Sequence, residues 1–94
     1  MTDNLREAVA YIHNANQSAL ARGILSMWTV YDRPRDHPDG HIARRFEISG
    51  PEPMPTEDMV SGDLGQIREC MERCGLFCLT RNEIDHPSVV ETWT

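Results

Sequence analysis

The sequence contains no lysine, and all nine of its basic residues are arginine, which we attribute to a GC-rich coding bias. It also has no run approaching the roughly 18 apolar residues of a membrane-spanning helix. The segment from Met1 to Val9 lacks the basic and apolar regions of a secretory signal. Three cysteines, an odd number, agree with a reducing compartment. We therefore expect a cytoplasmic protein that does not associate with a membrane.

Familiar catalytic signatures are also missing. The chain has no G-x-S-x-G, no H-E-x-x-H, no Walker loop and no G-x-G-x-x-G. A catalytic Cys–His pair remains an alternative, because a nucleophile and its base need not be neighbours in sequence. A chain of 94 residues also leaves little room for a deep substrate cleft. We expect a protein that is not an enzyme and binds no cofactor.

The net charge of −6 is unevenly distributed, because residues 51–94 carry nine acids and three bases while residues 1–50 are balanced. Direct nucleic-acid binding normally needs a basic face, so the acidic chain argues against it. Small acidic proteins can instead occupy a basic groove where phosphates would bind. The alternative is ordinary solubilising charge. The candidate partner-binding residues are Glu52, Glu57, Asp58, Asp63, Glu69 and Glu72.

Two stretches have helical spacing of apolar residues, residues 4–22 and residues 63–74. The second has Asp63 as a plausible N-cap, Gln66 at the third helical position and Gly75 as a C-terminal stop. The first helix is rich in alanine and precedes Met27, which could itself be a start codon. We therefore expect residues 1–26 to form a helical appendage that could mediate self-association, and residues 27–94 to form the core domain.

Four strands are predicted, at residues 27–31, 41–48, 76–80 and 89–93. In the second, Ile42, Phe46 and Ile48 alternate with Ala43, Arg45 and Glu47, which is typical of a half-buried strand. Residues 49–55 contain three prolines and predict a loop, with a short extended piece at residues 58–61. The connections are too short for parallel crossovers. The expected fold is α+β, an N-terminal helix followed by a ββαββ core with a four-stranded, mostly antiparallel sheet and one helix packed on it.

Two groups of residues could bind a metal ion. Cys70, Cys74 and Cys78 with His86 could hold zinc, but the C-x3-C spacing on a helix is unlike a zinc knuckle, and we favour cysteines packed in the core. Asp36, His37, Asp39 and His41 could form a facial metal site, although the same string is typical of a solvated turn. We therefore predict that the protein has no metal site.

Four arginines, namely Arg33, Arg35, Arg44 and Arg45, lie within 13 residues of the chain and could form a patch for an anion or a partner. The alternative is that they pair with the acids of the same segment, Asp32, Asp36, Asp39 and Glu47. If the patch exists, the protein is a small metal- or anion-binding regulator that uses the region from Asp32 to Arg45.

Three strings are distinctive: WTVYDRPRDHPDGHIARRFEI at residues 28–48, LFCLTR at residues 76–81 and VVETW at residues 89–93. Together they resemble a family of short hypothetical proteins of proteobacteria and their phages, over about residues 27–94. The resemblance implies a bacterial or phage origin and no activity or site. We expect a protein-binding module, in its narrowest form a phage or mobile-element inhibitor whose acidic surface docks on a nucleic-acid-binding host defence protein.

Overall fold

The computed structural model describes residues 2–32, 40–79 and 89–94, with side chains from Leu5 onward. Its elements are α1 (Thr2–Ala21), β1 (Leu25–Asp32), β2 (His41–Ile48), β3 (Met54–Gly62), α2 (Leu64–Arg73), β4 (Cys78–Leu79) and β5 (Val89–Trp93). The strands form one antiparallel sheet in the order β3-β2-β1-β5-β4. The α+β class predicted from the sequence is confirmed. Neither α1 nor α2 is long and apolar enough to cross a membrane, and they are the helices of the described residues.

The sheet has five strands, so the predicted four-stranded sheet and the ββαββ order are wrong in detail. The additional strand is β3, which the sequence suggested only at residues 58–61 and whose first residues fell in the predicted loop. Pro55 is tolerated there because β3 lies at the edge of the sheet, where a missing N–H need not break the ladder. The element order after α1 is therefore βββαββ.

Both helix ends follow local rules. Asp63 Oδ1 accepts a hydrogen bond from the Gln66 backbone N at 2.9 Å, and Gln66 Oε1 accepts one from the Asp63 N at 3.3 Å. This reciprocal capping box satisfies two amides that the first turn of α2 leaves unpaired. At the other end Gly75 has φ +76°, a left-handed conformation that suits glycine, and ends the helix as predicted. Gly23 ends α1 in the same way with φ +75°.

The two helices lie on one side of the sheet and share a single core. Ile12 of α1 and Met71 of α2 are fully buried against Trp28 and Val30 of β1. The other buried members of this core are Ala43, Ile67, Cys70 and Trp93. In addition, Trp28 Nε1 donates a hydrogen bond to Asn16 Oδ1 of α1 at 2.9 Å. Helix α1 thus packs on the sheet, while the separate folding of residues 27–94 stays a prediction.

Strand β2 turns Ala43 and Arg45 toward the helices, together with Glu47. Ala43 and Arg45 are 0% and 5% exposed, because they pair across the sheet with Val30 and Trp28 of the core. Its apolar residues Ile42, Phe46 and Ile48 occupy the opposite side of the sheet and are half-buried. The alternation predicted from the sequence is present, but its more apolar side is the one that the helices leave uncovered.

Candidate functional site

The side of the sheet opposite the helices forms a surface that we call the open face. The register of the strands assigns its members, since residues that pair directly lie on the same side of a sheet. Thr29 of β1 pairs with Arg44 of β2 and with Thr92 of β5, and Thr92 in turn pairs with Leu79 of β4. The apolar members of the open face that the register assigns are Leu25, Met27, Tyr31, Ile42, Phe46, Ile48, Pro55, Met59 and Leu79. Phe77 joins them, because its backbone N–H and carbonyl pair with those of Thr94, which lies two residues beyond Thr92.

The open face concentrates the exposed apolar surface of the described residues. Phe77 is 76% exposed, Leu25 is 58% exposed, and Met59 and Leu79 are each 46% exposed. These are four of the seven large hydrophobic side chains exposed in the described part of the chain. Both helices of that part lie on the other side of the sheet, so neither covers them. Several large apolar side chains exposed on the same side of a sheet, in contrast to single scattered ones, can mark a place where another molecule binds.

Arg44 is a charged side chain that the register places within the open face, and it is half-buried. Its Nε donates a hydrogen bond to the backbone carbonyl of Thr56 at 2.9 Å. That carbonyl belongs to a bulge, because Arg44 pairs with Met59 and Phe46 with Pro55, which leaves residues 56–58 opposite Arg45. The terminal nitrogens Nη1 and Nη2 of Arg44 form no hydrogen bond with the described residues.

The next residue, Arg45, lies on the side of the sheet that faces the helices. It binds the same bulge through Asp58. Its Nε donates to Asp58 Oδ2 at 2.8 Å, and its Nη2 donates to Glu47 Oε2 at 3.0 Å. Asp58 Oδ1 accepts a further hydrogen bond from the Tyr11 hydroxyl of α1 at 2.8 Å, and Glu47 Oε2 accepts one from Arg22 Nη2 at 2.7 Å. The network joins α1 to β2 and β3 and compensates the burial of the guanidinium.

The ionisation of this network favours its charged form. Desolvation raises the pKa of Asp58, but the hydrogen bonds from Arg45 and Tyr11 outweigh it and leave the pKa below its usual value. Hydrogen bonds from Arg22 and Arg45 lower the pKa of Glu47. A cleft of about 320 Å³ adjoins the network between α1 and the sheet. The two charged side chains that line this cleft, Arg45 and Asp58, are paired with each other. The pair therefore stabilises the fold and leaves neither charge free for a ligand.

A second network lies at the other end of the sheet, around Glu91 of β5, which is 5% exposed. Arg68 of α2 donates to it through Nε and Nη2, the latter at 2.8 Å, and Trp93 Nε1 donates at 2.7 Å. Desolvation raises the pKa of Glu91, but these hydrogen bonds outweigh it and lower the pKa overall. The bidentate pair anchors α2 to β5.

The acids that the sequence suggested for partner binding do not form one free surface. Asp58 lies in the Arg45 network, Asp63 caps α2, and Glu69 pairs with Arg73 at 3.1 Å. Glu52, Glu57 and Glu72 remain as exposed acids outside these contacts.

The predicted arginine patch is divided by the sheet. Arg44 and Arg45 lie on opposite sides of β2, and Arg33 and Arg35 lie outside the described residues. The same holds for most of the predicted metal-capable groups, namely Asp36, His37, Asp39 and His86. Within residues 2–32, 40–79 and 89–94, no three His, Cys, Asp or Glu side chains are grouped as a metal site would need. His41 Nε2 lies 3.2 Å from Asp32 Oδ1.

The three cysteines occupy different environments. Cys70 is 4% exposed and packs in the core. Cys74 is half-buried, and its Sγ donates to the Val9 carbonyl at 3.4 Å. Cys78 is exposed at the edge strand β4, in contrast to the core position favoured from the sequence. Burial raises the pKa of all three thiols, and the negative charge of Glu91 adds to it at Cys78.

Comparisons with protein-family models, with curated proteins and with solved structures found no match to this chain. The resemblance of residues 27–94 to short phage and proteobacterial proteins therefore stays a prediction. Sequence reasoning did not single out the open face. The signal that could have found it was a surplus of apolar residues at alternate positions of two neighbouring strands, at Leu25, Met27 and Tyr31 and at Ile42, Phe46 and Ile48.

Proposed function

We propose that this protein is a non-enzymatic protein-binding module whose open face docks a segment of another protein. The observation that carries the proposal is the position of the exposed apolar side chains. Leu25, Met59, Phe77 and Leu79 lie on the one side of the sheet that neither described helix covers. An antiparallel sheet can leave one face in water, but that face is then usually polar, and here it carries exposed apolar side chains.

The energetics of such docking are reasonable for a specific complex. A standard interface covers about 800 Å² on each partner, somewhat more than half of it apolar. At about 25 cal/mol per Å², burying about 450 Å² of apolar surface on this side contributes about 11 kcal/mol before association costs. Those costs are about 4–15 kcal/mol, so the net affinity depends on the specific contacts made within the apolar surface.

The position of Arg44 favours a different protein over a second copy of this chain as the occupant. Face-to-face pairing of two copies would bring a second half-buried guanidinium into the same interface. Burying a charge without an opposite charge beside it costs on the order of several kcal/mol of binding free energy per ion. A different partner can supply the missing carboxylate.

The narrower hypothesis of a phage or mobile-element inhibitor acting through an acidic surface rests on Glu52, Glu57 and Glu72, which are the suggested acids that remain exposed and outside the contacts described above. Such docking on a basic protein would weaken steeply with salt. Binding of an identified partner that is indifferent to ionic strength would contradict this narrower form and leave the apolar form standing.

The open face can be tested with two matched leucines. Leu79 on the open face is 46% exposed, and Leu20 on α1, on the helical side, is 50% exposed. A displayed library of random 16-residue peptides would be panned against the wild-type protein, and each recovered peptide would then be measured on Leu79→Asp and Leu20→Asp. We expect binding to be lost on Leu79→Asp and kept on Leu20→Asp, with both variants folded. Recovered peptides that bind the two variants equally well would refute the proposal.

A further inference from the structure

The open face carries one feature that an apolar surface does not need. Arg44 is the second side chain in a row of five that crosses the sheet, in the order Met59, Arg44, Thr29, Thr92 and Leu79. Its Nε is occupied by the Thr56 carbonyl at 2.9 Å, which holds the guanidinium in place over the bulge. The donors on Nη1 and Nη2 have no partner among the described residues.

Covering such a group with apolar side chains alone would be unfavourable. A guanidinium that loses its water without gaining an acceptor keeps the full desolvation cost. A planar guanidinium held by one hydrogen bond presents its remaining donors in a fixed geometry that suits the two oxygens of a carboxylate. An occupant of the open face therefore gains most by placing a carboxylate opposite Arg44.

We propose that the partner segment that docks on the open face carries an Asp or Glu side chain within its apolar surface, and that Arg44 binds this carboxylate through its terminal nitrogens. The inference rests on the proposed function and specifies the partner for the same surface. Arg44 acts there as a specificity-determining residue, because a segment without the carboxylate leaves its charge buried and unpaired.

The net charge of the chain limits how acidic this partner can be. At −6, the chain repels acid-rich segments at long range. A segment with one carboxylate aligned with Arg44, and otherwise neutral or basic, avoids that repulsion and still pairs with the guanidinium. An amphipathic helix with a single acidic residue beside its apolar stripe fits this description.

The test uses the peptides recovered from the displayed library that bind Leu20→Asp but not Leu79→Asp. Each peptide would be synthesised with its acidic residues intact and with each one replaced by the matching amide. Affinity would be measured on wild-type protein, Arg44→Gln and Arg44→Lys at constant ionic strength. Arg44→Lys also loses the hydrogen bond to Thr56 but keeps the positive charge, so it controls for that structural contact. Thermal unfolding would establish that both variants fold.

We expect one acid-to-amide replacement to weaken binding to the wild-type protein by about 10- to 100-fold, which corresponds to loss of a charged hydrogen-bonded pair. The same replacement should change binding to Arg44→Gln by less than about twofold, and Arg44→Lys should retain part of the preference for the acid. Peptides that depend on Leu79 but lack an acid, or that show the same loss on Arg44→Gln, would overturn this inference and leave the proposed function intact. A homodimer in sedimentation equilibrium that Leu79→Asp dissociates would also overturn it, since the occupant would then be a second copy.

Discussion

Replacing Ile12 by alanine tests whether α1 is an integral part of the domain. Ile12 lies in the middle of α1 and is fully buried in the core that contains Trp28 and Met71. The sequence-based division treats residues 1–26 as an appendage, in which case the substitution should have little effect on the sheet. The packing of Ile12 predicts a large effect.

The magnitude follows from the burial. Truncation of a fully buried isoleucine to alanine costs about 2–5 kcal/mol, through lost transfer free energy and the cavity that remains. Alanine has the better helix propensity by a few tenths of a kcal/mol, roughly, which offsets only a small part. We expect a loss of about 3 kcal/mol, and at about 4–8 °C per kcal/mol a fall in Tm of about 12–24 °C. A domain of this size has only about 5–14 kcal/mol in total.

Urea unfolding followed by tryptophan fluorescence measures this loss directly. Trp28 and Trp93 are 0% and 5% exposed, so both emit from the core of the folded protein and shift to longer wavelength on unfolding. Leu20→Ala on the same helix is the control, because its side chain is 50% exposed and should cost less than about 1 kcal/mol.

Equal and small losses for Ile12→Ala and Leu20→Ala would refute the reasoning, and would support α1 as a detachable appendage. The packing of α1 also predicts that a chain of residues 27–94 alone is strongly destabilised, because it loses Ile12 from the core and the hydrogen bond that Trp28 donates to Asn16. A cooperative unfolding transition close to that of the full chain would contradict this account.

Two further results are expected. Since the pKa of Glu91 is lower in the folded than in the unfolded protein, its contribution to the free energy of unfolding is complete above the unfolded pKa of about 4.3 and is lost as pH falls through the lower folded pKa. Unfolding free energies measured from about pH 6 to about pH 2 should therefore fall less steeply for Glu91→Gln than for wild type. Parallel curves would contradict a lowered pKa of Glu91 in the folded protein. With a disulfide reagent at neutral pH, Cys78 should react first and buried Cys70 should react only at the rate of unfolding, so that equal rates would contradict the described burial.

The elements that the sequence predicted well are those governed by local chemistry. The capping box of Asp63 and Gln66 and the glycine stop at Gly75 use only neighbouring residues, and both are present in the structure. The first part of β3 was predicted as a loop because proline usually breaks a strand. Whether Pro55 is tolerated depends on whether the strand lies at an edge of the sheet. That position is a property of the whole fold.

The open face could not be predicted from the sequence for a similar reason, because it depends on contacts between residues that are far apart in the chain. Alternation in β2 separates Ile42, Phe46 and Ile48 from Ala43 and Arg45, but nothing local says which side the helices will cover. The answer depends on Asp58, Glu47 and Ser26, which accept the hydrogen bonds of Arg45 and permit its burial. A buried arginine with three partners from three strands cannot be read from one strand.

The central claim, that the open face docks a partner segment, can be tested most directly at the methionine methyl groups. Met27 and Met59 lie on the open face, Met71 is fully buried in the core, and Met54 is 60% exposed and pairs with Glu47 outside the open face. In NMR spectra of protein labelled at the methionine methyls, a recovered peptide should shift the resonances of Met27 and Met59 and leave those of Met54 and Met71 nearly unchanged. A peptide that saturates the protein while Met27 and Met59 do not move would contradict the account.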